Sequence, residues 1–414
     1  MDVLKLATAG SVDDGKSTLI GRLLYDTQSL TDDKVAAIKK SSERLGYDYL
    51  DFSLATDGLI AEREQGITID VAHIYFSTPS RSYIIADTPG HVEYTRNMVT
   101  GASNAQASII LIDARKGVVE QTYRHFFIND LLRVKHLIVA VNKMDLVDYD
   151  AKVFASIKDS FEALVKQRTF EEQEIHYVPV SALKGDNVAS SSAAMDWFQG
   201  SSVLDLLERI PTTSTSQTAM RFPVQTVIRP KRDAYHDYRA YAGTVLGQSI
   251  QVGDAVTILP SLKDSRIASI RLFDKEYEAA EAGSAVSITL EDDLQVTRGD
   301  LIVPQEKIPQ QGLELKAKIC WMDEQPLQVG NKYELQIQSN RVLTKVKEIH
   351  HKIATDFGDS KDSMSEVALN EIAEVSFRLS KTLFYDSFAS HKATGSFILI
   401  DTHSNTTAGV GFIQ

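Results

Sequence analysis

The sequence predicts an α/β domain with a mostly parallel sheet, followed by two small all-β barrel domains. Three observations predict this order. Apolar runs alternate with amphipathic stretches through about the first 210 residues, the segment 211–220 is rich in Thr and Ser, and the rest of the chain has short apolar runs separated by turn residues. We therefore expect the α/β domain at 1–210 and a linker at 211–220.

Within the α/β domain, apolar runs predict strands and amphipathic stretches predict helices. The expected strands are Val3–Ala9, Ile67–Phe76, Ser82–Ala86, Ser108–Ile112, His136–Val141 and Ile175–Val180. The helices expected between them include Ser17–Leu30, Val118–Leu132 and Ala151–Lys166. In such a fold the parallel strands end at one edge of the sheet, where ligands bind.

Beyond the linker, short strands such as AYAGTVLG and VGDAVTILP follow one another with Gly-Asp turns and hardly any helical pattern. This texture is typical of a small β-barrel, which we expect at 221–304. A second break, PQEKIPQQG, predicts a linker at 305–313. Further strands after it predict a second barrel at 314–414.

The composition indicates an ordinary globular protein, because 43% of its 414 residues are hydrophobic and 24% are charged. The formal charge of −12 argues against a broad nucleic-acid-binding surface. The single cysteine, Cys320, allows no intramolecular disulfide, and no Cys/His cluster indicates zinc. There is no apolar run long enough to span a membrane, and the first residues lack the basic start of a secretory signal. We therefore expect a cytoplasmic protein.

The segment from Gly10 to Ser17 matches the phosphate-loop pattern and lies between a predicted strand and a predicted helix. Its glycines let backbone N–H groups face phosphate oxygens, with the positive end of the helix behind them. Lys16 is expected to reach the β- and γ-phosphates and to serve catalysis, and the Ser17 hydroxyl is expected to bind Mg²⁺. The alternative is a Gly-rich turn that binds nothing. The expected nucleotide-binding residues of this loop are Gly10, Ser11, Val12, Asp13, Asp14, Gly15, Lys16, Ser17 and Thr18.

A second motif follows the strand that ends at Ala86. It consists of Asp87, Thr88, Pro89, Gly90 and His91. The Asp87 carboxylate can hold a Mg²⁺-bound water and the Gly90 N–H can contact the γ-phosphate, so that loss of this phosphate releases the loop as a switch. Asp-x-Pro-Gly alone is a common turn, and its position after an inner strand favours the functional interpretation.

Two further residues complete the predicted catalytic set. Thr68, at the start of a predicted strand, is a candidate Mg²⁺ ligand and switch residue, although a β-branched residue there needs no function. His91 is the candidate for orienting the attacking water, although a lone histidine is more often structural. The mixed-charge segment 62–64 is either a solvated face or a partner surface.

Base recognition is predicted at the ends of two later strands. The Asp145 carboxylate can accept hydrogen bonds from the guanine N1–H and its exocyclic amine, which adenine does not offer. Asn142 is expected to brace the loop, the Lys143 stem to pack on the base, and the Ala182 N–H to reach guanine O6. The expected residues are Asn142, Lys143, Met144, Asp145, Ser181, Ala182 and Leu183. Together with the phosphate loop, they predict GTP rather than ATP.

These motifs, with Gly-Ile-Thr-Ile-Asp, resemble those of the translation-factor (elongation factor Tu-like) class of P-loop GTPases, which also carry two β-barrels after the GTPase domain. Within that class, strings such as GSVDDGKSTLIGRLLYDT, IIADTPGHVEYTRNMVTGAS and MRFPVQTVIRP resemble the CysN family, the GTPase subunits of bacterial sulfate adenylyltransferase. Elongation factors usually have His where this sequence has Asp14, and Arg where it has Gln65. Both differences favour the sulfate-activation branch.

The resemblance implies a function. CysN pairs with the smaller subunit CysD, which forms adenylyl sulfate and pyrophosphate from ATP and sulfate, while GTP hydrolysis on CysN drives that unfavourable synthesis. It also implies that Val12 and Ile67 form an apolar gate around His91. Two other hypotheses stay open: an elongation-factor-like GTPase that delivers aminoacyl-tRNA, and a stand-alone regulatory GTPase.

Overall fold

The computed structural model describes residues 2–44, 50–52, 71–89, 95–212, 218–229, 238–355, 361–362 and 365–414. The chain divides into two compact units, Met1–Thr213 with Ala354–Asp359, and Ser214–Ile353 with Ser360–Gln414. No helix in these ranges is long and apolar enough to cross a membrane. The domain boundaries expected from the sequence stay predictions.

The first unit is built on one six-stranded sheet. Its strands are β1 Val3–Ala9, β2 Ala72–Ser77, β3 Ser82–Asp87, β4 Ala107–Asp113, β5 His136–Asn142 and β6 Glu174–Pro179. Their order in the sheet is β2-β3-β1-β4-β5-β6. Only β2 and β3 pair antiparallel, which confirms the mostly parallel sheet. All residues of β4 and β5 are buried, because central strands of such sheets are covered on both faces.

The described helices of this unit are α1 Lys16–Asp26, α2 Asp32–Arg44, α3 Thr95–Ala102, α4 Glu120–Leu131, α5 Ala151–Val165 and α6 Val203–Arg209. Helices pack on the sheet through apolar side chains. Leu19 and Leu23 of α1 and Leu207 of α6 belong to the same core cluster as Leu6 and Ile85 of the sheet. This packing holds the start of α1 at the end of β1.

The expected bounds differ most from the observed ones at α1 and β2. A helix was expected over Ser17–Leu30, but α1 ends at Asp26. The Thr27 hydroxyl donates to Leu23 O at 2.7 Å, and Gln28 has a left-handed φ of 56°, which a continuing helix cannot accommodate. The expected strand Ile67–Phe76 overlaps β2, which begins at Ala72, and residues 67–70 lie outside the described ranges.

The second unit contains two closed barrels. Strands of the first are β7 Phe222–Ile228, β8 Ala240–Thr244, β9 Ile250–Gln251, β10 Ala255–Leu259, β11 Lys263–Leu272, β12 Lys275–Tyr277, β13 Ala279–Ala280, β14 Ala285–Leu290 and β15 Leu301–Pro304. The order β10-β15-β7-β8-β14-β11 closes into a ring by the pairing of β10 with β11. Closure leaves this ring without an unpaired strand edge.

Strands of the second barrel are β16 Gln310–Trp321, β17 Leu327–Gln328, β18 Lys332–Ile337, β19 Asn340–Ile353, β20 Lys361–Asp362, β21 Glu366–Val367, β22 Ile372–Tyr385, β23 Ser396–Ile400 and β24 Thr407–Ile413. Six of them form the ring β18-β23-β24-β16-β22-β19, closed by the pairing of β18 with β19. The fold class predicted from the sequence, an α/β GTPase-type domain followed by all-β barrels, is confirmed.

A buried ion pair joins the two barrels. The Arg221 guanidinium donates to both carboxylate oxygens of Asp386, at 2.9 and 2.8 Å, and to Lys307 O at 2.9 Å. The Thr394 hydroxyl donates to the same carboxylate at 2.6 Å. Although burial opposes ionisation, the bonds from Arg221 and Thr394 hold the pKa of Asp386 below its ordinary value. Both charges are therefore paired and hydrogen-bonded, as buried charges must be.

Candidate functional site

The predicted phosphate loop lies between the end of β1 and the start of α1. Asp13 and Gly15 have left-handed φ angles of 69° and 93°. A Cβ atom on Gly15 would also lie 2.4 Å from the Asn142 amide nitrogen. Glycine is thus required at this position both by the backbone and by the lack of space.

Lys16 is buried at the first position of α1, with 8% of its surface exposed. Its Nζ donates to the carbonyl of Gly10 at 2.8 Å, so the ammonium folds back over the loop. Burial lowers the pKa of Lys16, and the nearby carboxylates of Asp87 and Asp14 oppose that shift. The Lys16 ammonium therefore lies against the backbone of its own loop, and Asp87 at the end of β3 is close enough to affect its pKa.

The end of β3 lies beside the phosphate loop because Thr8 of β1 pairs with Asp87. The Thr8 hydroxyl donates to Asp87 Oδ1 at 2.8 Å, and the Thr88 hydroxyl donates to Thr8 O at 2.5 Å. The first bond orients the buried Asp87 carboxylate at the carboxyl edge of the sheet, and the second holds Thr88 against β1. Gly90 and His91, which follow, lie outside the described residues, as does Thr68.

Asn142, the last residue of β5, connects three loops with one amide group. Its Nδ2 donates to the carbonyl of Asp14 at 2.8 Å, and its Oδ1 accepts the Ala182 N–H at 2.9 Å. The Ala182 N–H, which was expected to reach guanine O6, already donates to Asn142 Oδ1. A bond to guanine O6 would therefore require this N–H to be shared between two acceptors. These two contacts support the bracing role that was expected of Asn142.

The next residues of this loop contact the phosphate loop and the loop after β6. Lys143 Nζ donates to the carbonyl of Asp13 and lies 3.0 Å from Asp113 Oδ2. The Ser181 hydroxyl donates to Asp145 Oδ1 at 2.7 Å. Met144 between them is fully buried and anchors the turn. The second oxygen of the partly exposed Asp145 carboxylate and its remaining lone pairs leave further acceptor capacity.

Sequence reasoning missed a functional contributor at the end of β4. Asp113 is 1% exposed, and its carboxylate contacts both Lys143 and Arg115. Although burial opposes ionisation, hydrogen bonds from Arg115 and Lys143 hold the pKa of Asp113 well below its ordinary value. A signal was available, since Asp113 ends an apolar run in the same way as Asp87 does.

The structure brings the described part of the predicted site together at the carboxyl ends of β1, β3, β5 and β6. This arrangement combines left-handed loop residues, a buried lysine and a helix start, which suit an anion. It also presents a carboxylate at Asp145 that can accept two donors from one ring. Donors for phosphate oxygens and acceptors for a base, taken together, are what a nucleotide requires.

Comparison with known families agrees with this geometry. Residues 1–217 match the family model described as the Elongation factor Tu GTP binding domain. Residues 314–414 match the model described as GTP-eEF1A C-terminal domain-like. The first match covers the α/β unit with its loops and the second covers the second barrel.

The chain is similar along its whole length to curated proteins. Sulfate adenylyltransferase subunit 1 of Shewanella woodyi is 45% identical over 415 residues, which cover 100% of this chain and 87% of that protein. The protein of the same name from Vibrio atlanticus is 47% identical over 416 residues, covering 100% and 86%. Among solved structures, the Saccharomyces cerevisiae Ski7 GTPase-like domain, bound to GDP and inorganic phosphate, aligns with a TM-score of 0.53 at 17% identity, covering 100% of this chain and 97% of that one. This last likeness shows the fold alone.

Replacing Gly15 with Ala is expected to weaken GDP binding at least about tenfold, because the new Cβ displaces the Asn142 amide. Titration with a fluorescent GDP analogue measures the dissociation constant. Gly253→Ala is the matched control, since Gly253 has a similar φ of 88° but no atom within 4 Å of an added Cβ. Equal GDP affinity in the two variants would contradict the steric role of Gly15.

Proposed function

The chain belongs to the sulfate adenylyltransferase subunit 1 family, and we propose that its GTP hydrolysis drives synthesis of adenylyl sulfate and pyrophosphate from ATP and sulfate on a smaller partner subunit. The chain is a GTPase subunit of ATP sulfurylase. The partner is the CysD type of subunit, and neither its ATP nor its sulfate site is expected here. A cytoplasmic location fits the buried free thiol of Cys320.

The observation that carries this proposal is the spread of identity over the whole chain. Relatives named sulfate adenylyltransferase subunit 1 are 45–47% identical to it over alignments that cover 100% of this chain, and thus both the α/β unit and the barrels. The translational alternative predicts such identity to factors that carry tRNA. It is therefore not favoured, although the GTP-binding domain model that this chain matches is named after elongation factor Tu.

We assign phosphate binding to the phosphate loop. Backbone N–H groups of residues 13–18 and the start of α1 hold the phosphates, and Lys16 exchanges its bond to the Gly10 carbonyl for one to phosphate oxygens. We assign Mg²⁺ binding to Ser17, Thr68 and Asp87, because side-chain oxygens are the ligands that Mg²⁺ prefers. The hydrogen bond from the Thr8 hydroxyl supports the assignment of Asp87 to Mg²⁺ because it fixes the orientation of the carboxylate. When bound, Mg²⁺ neutralises charge on the β- and γ-phosphates.

We assign base selection to Asp145, whose carboxylate is oriented by the Ser181 hydroxyl. Two acceptor oxygens match the two N–H groups on one edge of guanine. Asn142 holds this loop on the phosphate loop. Lys143 spans from Asp113 to the Asp13 carbonyl, which supports the assignment of its stem to packing on the base. We assign the switch that responds to the presence of the γ-phosphate to Thr88, Pro89, Gly90 and His91.

The complex with the partner subunit provides the decisive test. Pyrophosphate release from ATP and sulfate is measured with GTP, with a non-hydrolysable GTP analogue and without nucleotide. We expect stimulation by GTP alone, because binding without hydrolysis cannot drive an unfavourable synthesis. Absence of stimulation in a complex of demonstrated integrity refutes the proposal, and GTP-dependent binding of aminoacyl-tRNA would favour the translational alternative.

Asp145→Asn is expected to shift the preference from guanine toward xanthine nucleotides, because Asn offers a donor where xanthine carries a carbonyl. Competition between GDP and XDP measures this shift. Asp148→Asn is the matched control, since Asp148 is exposed in the same loop and has a left-handed φ of 52° that Asn tolerates well. Unchanged guanine selectivity in Asp145→Asn would rule out the base assignment.

His91→Ala is expected to leave GTP affinity nearly intact and to slow hydrolysis by about 10²–10⁴-fold, as loss of a water-orienting group does. Single-turnover hydrolysis in the complex with the partner measures the rate. His73→Ala, at an exposed position of β2, is the control and should hydrolyse GTP normally. Full turnover without His91 would remove this residue from the mechanism.

A further inference from the structure

Asp14 is a buried carboxylate inside a loop assigned to bind phosphates. Only 2% of its surface is exposed, and burial raises its pKa. A negative charge in this place repels phosphate groups, and its removal from water is costly. Such a residue needs an interaction that offsets both effects, and its contacts with neighbouring loops provide one.

The first contact closes the phosphate loop. Ser11 N–H donates to Asp14 Oδ2 at 2.8 Å, and Asp14 N–H donates back to Ser11 O at 3.2 Å. The two bonds close a four-residue turn from both sides. Asp13 in this turn has a left-handed φ of 69°, a conformation that an aspartate adopts at a cost. The bond from Ser11 therefore stabilises a turn that its own residues do not favour.

Two further contacts tie Asp14 to other loops. Its Oδ1 lies 3.6 Å from the ammonium of Lys116, in the loop that follows β4. Its carbonyl accepts the Asn142 amide at 2.8 Å. Lys116 is held by a bond from its N–H to Asp113 O at 2.9 Å. Through this single residue the phosphate loop is attached to the loops after β4 and β5.

We propose that Asp14 is a positioning residue that shapes the phosphate loop for GTP and GDP, through the Ser11 N–H and the Lys116 ammonium. The proposal rests on the proposed nucleotide site and adds a role that neither the phosphate-loop pattern nor base recognition requires. The Asp14 carboxylate itself does not contact the nucleotide. Its carboxylate stabilises the loop conformation in which the N–H groups beyond Ser11 converge on the phosphates.

Three variants of the full-length chain test this role by titration with GDP and GTP. Asp14→Ala removes the acceptor, and we expect both dissociation constants to rise about tenfold, the loss typical of a hydrogen bond to a charged group. Asp14→Asn keeps an acceptor for the Ser11 N–H and should recover most of the affinity. Asp150→Ala removes a similar bond, from Lys152 N–H at 2.8 Å, away from the site, and should bind nucleotide like the parent.

Other readouts separate positioning from general damage. Misfolding lowers the binding stoichiometry, whereas a misplaced loop raises the dissociation constant at unchanged stoichiometry. The preference for guanine over xanthine should stay that of the parent in Asp14→Ala, because Asp145 and not Asp14 selects the base. Lys116→Met should weaken binding in the parent and not in the Asp14→Asn background, where the carboxylate charge is gone.

Several results would overturn the proposal. They are parental affinity in Asp14→Ala, an equal loss in Asp14→Asn, a changed base preference, or an equal effect of Lys116→Met in both backgrounds. Nucleotide affinity is measured without ATP, sulfate or adenylyl sulfate. A failure of GTP to drive synthesis would therefore leave this test valid, and a failure of this test would leave the driving role intact.

Discussion

The geometry of the site depends on one side-chain amide, that of Asn142. It donates to the phosphate loop at Asp14 and accepts from the loop after β6 at Ala182. Because the amide is buried, both ends must be hydrogen-bonded. These two bonds, with the Lys143 bond to the Asp13 carbonyl, hold the phosphate loop against the base-recognition loops. Gly15 must lack a side chain because a Cβ atom there would lie 2.4 Å from the Asn142 amide nitrogen.

Around this amide, three lysines contact partners within the protein. Lys143 contacts Asp113, Lys116 faces Asp14, and Lys16 donates to the Gly10 carbonyl. A buried polar network of this kind fixes a single arrangement to the extent that its members are hydrogen-bonded, and Asp14 Oδ1 has only the Lys116 ammonium beside it, at 3.6 Å. The loops are accordingly organised before they meet a nucleotide, which lowers the entropic cost of binding.

The fold could be predicted from the sequence where local pattern decides it. The strand β1 was predicted with its observed bounds, and β5 and α5 within a residue, because apolar periodicity is a local property. The end of α1 was wrong because it depends on the Thr27 hydroxyl bond and the left-handed Gln28. The helix α2 was not predicted at all, since it is rich in charged residues and only Ile38 and Ser42 are buried.

By itself, the sequence determined the kinds of chemistry and their order: a phosphate loop, a carboxylate at the end of β3, and Asn142 at the end of β5 with Asp145 beyond it. Each motif is a short local string whose residues act through neighbouring backbone. Only the tertiary structure decided that Asp113 joins the site, that the Ala182 N–H is already bonded, and that Asp14 lies against Lys116. Those contacts join residues far apart in the chain, so they depend on strand order and register, which no local string contains.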